Sequence, residues 1–384
     1  MSTPARDRLI ELDVTRAVAM IGVVLMNYHG YLIIDGGTVG SSSVNRAFDP
    51  WNGPFSTRFA ATFVLVAGMG VTLMTNRSRR GGDPVAVRHD RWTLVRRGTL
   101  LYAFGYVLDW IWPGTILFYY GALFVVAAVL FTLRSRWLLT IAAVAAIAAA
   151  GLQWWRFERL ADGADVGWLF SPTGRSPRGL LFDTFVNGTH PLLPWLTFLC
   201  VGIVLGRHLR LPLTWLPLLV LGGFGVTLVT YGVNASMATT PLGTVLLATD
   251  PFSRSLNYTI GTLGSSIGAF ALISLVSELS RRTRVTQGLA AAGRMTLTIY
   301  VLHVLVFNLL VHVLHWVRPT GLDTAWLLTL GFWVPAIVGA AWWQRRFGIG
   351  PLERVYRRFG GDERAGQGDG PYSRTPASAN VPSH

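Results

Sequence analysis

Residues 14–34 read VTRAVAMIGVVLMNYHGYLII, with one charge, Arg16, near the start and Asn27, Tyr28 and His29 near the end. At about 1.5 Å per residue a helix of that length is about 30 Å long, the hydrocarbon thickness of a bilayer. Runs of the same character recur at Arg58–Thr75, Leu94–Trp112, Thr115–Leu133, Trp137–Trp155, Pro191–Gly206, Leu213–Val233, Asn257–Glu278, Met295–Trp316 and Thr324–Trp343. The expected fold is therefore all-α, a polytopic membrane bundle of about ten transmembrane helices. The third span carries Arg96, Arg97 and Asp109, and the sixth is short.

Composition supports that reading. Of 384 residues 51% are hydrophobic and 14% charged, against about a quarter charged in a soluble domain. The mean hydropathy is +0.44. Every basic residue is arginine, which excludes a Schiff-base lysine and a phosphate-loop lysine. Cys200 is the single cysteine, so no internal disulfide forms. No cleavable signal peptide is expected, because the first apolar run lacks a small-residue cleavage site.

Arginine placement sets the orientation. With the amino terminus inside, one loop holds Arg77, Arg79, Arg80, Arg88, Arg91, Arg96 and Arg97. Other inside segments hold Arg134, Arg136, Arg207, Arg210, Arg281, Arg282, Arg284 and Arg294, and the chain from Arg345 onward falls on the same side. The opposite loops carry scattered arginines such as Arg46, Arg156, Arg175 and Arg254. The positive-inside rule then puts both termini in the cytoplasm of a multi-pass plasma-membrane protein. The expected organisation is a cytoplasmic segment 1–13, a transmembrane domain 14–358 and a disordered cytoplasmic tail 359–384, rich in Gly, Ser and Pro. The outer loops Asp35–Thr57, Arg156–His190 and Asn234–Leu256 have turn-forming compositions. The net charge of +14 is accounted for by topology, so no nucleic-acid partner is expected.

Polar groups inside spans need partners or a function. Asp13 and Arg16, three apart on one helix face, make either a local ion pair or an anion-facing arginine. His29, next to Asn27 and Tyr28, is a candidate proton acceptor. His303 sits within the ninth span and is either structurally bonded or functional. Asp109 either caps a helix end or orients an imidazole. Asp49-Pro50-Trp51-Asn52-Gly53 is a turn, and His190 opens the sixth span beside Pro191. Gly261, Gly264 and Gly268 on the eighth span suit close helix packing. The histidines lack a convincing ligand-pair spacing, so no metal is expected.

The run RLIELDVTRA at residues 8–17, followed by apolar residues and Asn27-Tyr28, resembles the opening of the transmembrane acyltransferases. The nearest branch is the heparan-α-glucosaminide N-acetyltransferase type, which Trp51-Asn52-Gly53, Phe63-Val64 and Gly68 also fit. Gly293-Arg294-Met295-Thr296-Leu297-Thr298 and Gly350-Pro351-Leu352-Glu353-Arg354 resemble the carboxy-terminal half of bacterial YeiB-type (DUF418-like) proteins. The likeness covers roughly residues 8–358. It implies transfer of an acyl group, typically acetyl, from cytoplasmic acyl-CoA to a hydroxyl or amine of a cell-envelope glycan or glycolipid. Acyl-CoA would be a co-substrate, with no bound cofactor.

By motif match Asn27 takes an active-site position, binding the acceptor or the thioester oxygen. The family's catalytic histidine precedes Trp-Asn-Gly, where this chain has Phe48. His29 then supplies the imidazole, with Asp109 or Asp49 orienting it, or Asp49 acts as base; His303 is a further catalytic candidate. Arg16, Arg96, Arg97 and Arg294 would meet the CoA phosphates, and Trp51, Asn52 and His190 the acceptor. The competing reading is a transporter or exporter of a small envelope molecule. A homodimer is compatible with either.

The orientation is checked by labelling. With Cys200 replaced, a single cysteine near Gly82 should be shielded from impermeant thiol reagents in intact cells, and one near Ser42 should label. The opposite pattern would overturn the arrangement.

Overall fold

The computed structural model describes residues 9–170, 176–209 and 212–361. Arg8 of the motif at 8–17, Arg175, Arg210 and residues 362–384 of the expected tail lie outside the described residues. The described chain is helical. Its principal helices are α1 (Ile10–Ile34), α2 (Arg58–Gly81), α3 (Pro84–Leu108), α4 (Leu117–Leu130), α5 (Ser135–Ala161) and α6 (Leu192–Gly206). They continue with α7 (Leu216–Met237), α8 (Leu256–Leu279), α9 (Arg284–Gly293), α10 (Thr296–Phe307), α11 (Leu322–Phe347) and α12 (Pro351–Phe359).

Among the described residues seven helices are long and apolar enough to cross a bilayer: α1, α2, α5, α7, α8, α10 with its π-helical extension to Val313, and α11. An eighth span forms if Pro177–Asn187 and α6, bent by 54° at the intervening break, count as one. The expected third and fourth spans are present as α3 and α4 but fall short of that test. Arg88, Asp90, Arg91, Arg96 and Arg97 load α3 with charge. Helix α4 has 14 residues, about 21 Å against a core of about 30 Å. The two pack against each other.

Three expected loops are shorter than their composition suggested, because helices run into them. Helix α5 extends to Ala161, α7 extends to Met237, and Ser43–Ala47 forms a helical turn capped by Ser42. The segment 284–293, expected as inside loop, is helix α9, exposed at its start and buried along one face and at its carboxy-terminal end. Its Ala290, Ala291, Ala292 and Gly293 let it lie directly on α1. A Cβ at Gly293 would sit 1.7 Å from the Asp13 carbonyl oxygen, so no side chain fits there.

Helix α1 lies at the centre, packed against α2, α8, α9, α10 and α11. The amino-terminal helix is thus held by the carboxy-terminal half. Peripheral helices expose apolar residues to the surroundings, such as Leu221 and Leu228 on α7 and Leu327 and Val334 on α11. In a bilayer these faces need no polar cover. Helices α7 and α8 approach through glycine, as expected from the small residues of the eighth span. A Cβ on Gly264 would lie 2.7 Å from the Gly223 oxygen.

Two carboxy-terminal motifs fix the register of α10. Glu353 Oε1 accepts the amide N–H groups of Leu297 (2.8 Å) and Thr298 (3.0 Å), and Oε2 accepts the Thr298 hydroxyl (2.6 Å). An ionised carboxylate at a helix amino terminus satisfies orphan donors and meets the positive end of the helix dipole. Arg294, just before that terminus, pairs with Asp13 of α1 at 3.4 Å and donates to Gln344 Oε1 of α11 at 2.7 Å.

Packing predicts a contrast between two glycines. Gly264→Leu should lower the melting midpoint in detergent, an overpacking cost of about 1–3 kcal/mol. Gly222→Ala, where a Cβ meets open space, should leave the midpoint unchanged.

Candidate active site

At the end of the bundle opposite the arginine-rich loops lies a cavity of about 300 Å³. One wall is a stripe of α1: Val23, Met26, Asn27, Gly30, Tyr31 and Ile34. Spacings of three and four place these residues on one helical face. Trp51, Thr57, Pro113, Gly114, His190 and Tyr300 close the other sides.

Asn27 is the polar centre of the α1 wall. Its Nδ2 lies 3.2 Å from Nε2 of His303, which is fully buried behind it. His303 Nδ1 contacts the Tyr300 carbonyl oxygen. Two ring nitrogens facing a carbonyl and an amide have one consistent arrangement: Nδ1 carries the proton and donates to the carbonyl, and Nε2 accepts from the Asn27 amide. The basic lone pair therefore points at Asn27 and the cavity. Tyr28 donates its hydroxyl to the His303 carbonyl oxygen at 3.0 Å. Tyr300, Trp112 and Tyr28 surround the imidazole, with ring centroids at 4.8, 5.5 and 5.8 Å.

His29 is placed elsewhere. Residues two apart on an α-helix are about 200° apart around its axis, so Asn27 and His29 cannot face the same way. His29 Nδ1 lies 2.7 Å from the Phe48 carbonyl oxygen, and Nε2 is buried without a hydrogen-bond partner among the described residues. Its visible role is to tie the 43–57 loop to α1. Asp49 is occupied with its turn, accepting from the Trp51 and Asn52 amides at 2.8 and 3.0 Å. Asn52 is exposed and does not line the cavity, whereas Trp51 does. Asp109 accepts the Gly114 N–H at 2.8 Å. It thereby holds the Pro113-Gly114 turn, whose Pro113 carbonyl takes the Tyr31 hydroxyl at 2.6 Å. Both carboxylates hold backbone turns, and Asp49 also acts electrostatically on the His29 imidazole.

His190 lines the cavity, with its ring edge-on to Trp195 at 4.5 Å. Two lining tyrosines lie outside the sequence expectation, Tyr31 and Tyr300. Their helical spacing from Asn27 and His303 was the available signal. Tyr300 Oη accepts the Ile116 N–H at 3.2 Å and shares a hydrogen bond with Thr115 Oγ1 at 2.9 Å.

The four arginines expected to meet phosphate lie toward the arginine-rich end. Arg16 is 3.3 Å from Asp13, which also holds Arg294. Arg97 stacks over the Tyr356 ring at 5.1 Å and reaches Met74 Sδ at 3.0 Å. Arg16 also acts electrostatically on Tyr356, so α1, α3 and α12 converge there. Arg96 is exposed beside Gly361. The Asp13–Arg16 ion pair is present, with Asp13 shared between two arginines.

Comparison with known families gives two matches. The heparan-alpha-glucosaminide N-acetyltransferase catalytic domain matches residues 8–231, more than half of the chain. A protein family of unknown function, DUF418, matches residues 212–360. No curated protein matches the chain. Asn27 lies in the first match and His303 in the second.

The His29 tie is testable on its own. His29→Ala removes one buried hydrogen bond, worth about 1–3 kcal/mol. Amide exchange in residues 48–57 should accelerate about five- to a hundredfold by that energy, with exchange around His303 unchanged. Equal acceleration at both places would contradict a local role.

Proposed function

The chain belongs to the heparan-alpha-glucosaminide N-acetyltransferase catalytic family, and from that membership we propose a membrane-bound acetyltransferase. It moves an acetyl group from cytoplasmic acetyl-CoA to a hydroxyl or amine of an envelope glycan or glycolipid. The observation that carries the reading is the Asn27–His303 contact on the cavity wall. One residue comes from each matched region, so residues 14–358 act as one unit. The cavity faces the outside, both termini lie in the cytoplasm of a plasma-membrane protein, and α3 and α4 complete ten crossings.

In the proposed reaction the acceptor displaces the Asn27 amide from His303 Nε2. Its O–H or N–H proton passes to Nε2 as the oxygen or nitrogen attacks the thioester carbonyl. The proton on Nδ1 stays bonded to the Tyr300 carbonyl, so the imidazolium charge is met by a fixed dipole. The displaced Asn27 amide and the Tyr300 hydroxyl are at hand for the developing oxyanion. Collapse breaks the C–S bond, and the CoA thiolate takes the proton back from Nε2. Trp51 and His190 form the acceptor's side of the cavity. The CoA phosphates lie at the inner end, where Arg16 and Arg97 converge near Tyr356 and Arg96 and Arg294 flank them. Asn27 and Arg16 are eleven residues apart on α1, about 16 Å along its axis. That span suits the extended pantetheine arm of a donor reaching across from the inner face.

The bent segment Pro177–Asn187/α6 beside the cavity favours the second reading, a transporter, since broken helices build transport sites. Variants separate the two. His303→Gln should reduce acetyl transfer by about 10²–10⁴-fold, the worth of a general base. Asn27→Ala should lose about 10²–10³-fold, as for an oxyanion donor. Both should fold and keep acetyl-CoA binding, with the melting midpoint lowered by no more than the loss of a buried hydrogen bond, about 1–3 kcal/mol. If His303→Gln keeps more than about a tenth of the rate, well short of a lost general base, the assignment fails. Transport that continues at the wild-type rate without CoA release would favour the second reading.

A further inference from the structure

Arg58 opens α2 and is 7% exposed, yet none of its three guanidinium nitrogens has a hydrogen-bond partner among the described residues. Its guanidinium carbon lies over two tyrosine rings, Tyr231 of α7 at 5.6 Å and Tyr258 of α8 at 5.8 Å. Buried guanidinium groups are ordinarily paired, because an unpaired one forfeits its hydration and its hydrogen bonds together. The other buried arginine nearby, Arg254, follows that rule: its Nη2 donates to the carbonyl oxygens of Asn187 and Gly188. Arg58 alone of the two keeps its planar fork of donors unused, and that fork matches the oxygens of a phosphate.

The position of Arg58 joins it to the cavity. Thr57, its chain neighbour, lines the cavity and bonds the Tyr258 hydroxyl at 2.6 Å. Thr57 adopts a left-handed backbone conformation (φ 60°), where the chain turns into α2. On the other side Tyr231 is half-buried on α7, a peripheral helix whose main packing is against α8. Of the two rings over the guanidinium, Tyr231 is the more exposed and Tyr258 is buried, so the lateral approach is on the Tyr231 side.

We infer that Arg58 is a subsite for a phosphate oxyanion, reached laterally past Tyr231 from the bilayer and continuous through Thr57 with the cavity. The inference rests on the proposed acyl transfer only in assigning that phosphate to a lipid-linked acceptor. The anion then anchors against Arg58 while the acceptor's hydroxyl or amine lies at Asn27.

The test is a binding measurement, so it stands apart from catalysis. Full-length, delipidated protein in a neutral detergent is titrated at fixed ionic strength with dihexanoyl phosphatidic acid, dihexanoyl glycerol or inorganic phosphate, and the melting midpoint is followed. Phosphatidic acid should raise the wild-type midpoint saturably, and dihexanoyl glycerol should not. Arg58→Met should abolish the rise without lowering the ligand-free midpoint, because it removes an unpaired buried charge. Arg58→Lys, which keeps the charge and loses the fork, should bind at least tenfold more weakly. Should inorganic phosphate match phosphatidic acid, the subsite stands and its ligand is a free anion. No rise with wild type, or an equal rise in Arg58→Met, overturns the inference. So does a lowered ligand-free midpoint in Arg58→Met with its phosphatidic acid response intact, which would make Arg58 a packing element. If Arg58→Met does not fold, wild type and Arg58→Lys decide. Anion binding that persists in a protein with no acetyl transfer would count against the proposed function and leave this subsite in place.

Discussion

The contact between the Asn27 amide and His303 Nε2 depends on elements from both ends of the chain. A polar pair inside an apolar bundle holds its geometry only if every other polar atom around it is satisfied. Here the Tyr300 carbonyl holds Nδ1, the Tyr28 hydroxyl takes the His303 carbonyl, and aromatic rings fill the rest of the shell. The register that brings His303 opposite Asn27 is set a helical turn or more away. Glu353 caps α10 at Leu297 and Thr298, and Arg294 links the start of α10 to Asp13 on α1. The two carboxy-terminal motifs thus act as clamps on the helix that carries the imidazole.

Much of the bundle was legible because a bilayer imposes one length on apolar helices. Helices α1, α8 and α11 begin within a few residues of where the apolar runs do. The misses have physical causes. Charge in the first half of α3 belongs to a helix that starts in the arginine-rich loop, so hydropathy alone cannot give its ends. Helix α9 escaped because its buried face is made of alanine and glycine, which signal packing rather than hydrophobicity. The composition read correctly as a turn at Asp49–Gly53, but helices intrude on the edges of the expected loops.

The candidate site was legible in parts rather than as a whole. Asn27, Trp51, His190 and His303 were each singled out, and three of them line one cavity with the fourth directly behind. Their convergence is tertiary and could not be read from spacing. The case of His29 differs, because the needed information was in the sequence. Two residues on a helix cannot face the same cavity when they are about 200° apart, and the stripe through Val23, Asn27 and Tyr31 already marked the other face. Asp49 and Asp109 belong to another kind of site residue, shaping cavity walls through backbone turns. At the arginine-rich end, Asp13 shared between Arg16 and Arg294 shows that one arginine cluster can serve packing and charge together.

The proposed transfer carries acetyl across the bundle, with donor and acceptor on opposite faces. The direct measurement uses sealed inside-out vesicles containing the protein, loaded with an envelope glycan extract and given acetyl-labelled acetyl-CoA on the exposed, arginine-rich side. Transfer across the bundle should leave label covalently attached to lumenal glycan, with one CoA released per acetyl transferred, and loss of both in His303→Gln. Glycan crossing the membrane unlabelled, with acetyl-CoA intact, would contradict it.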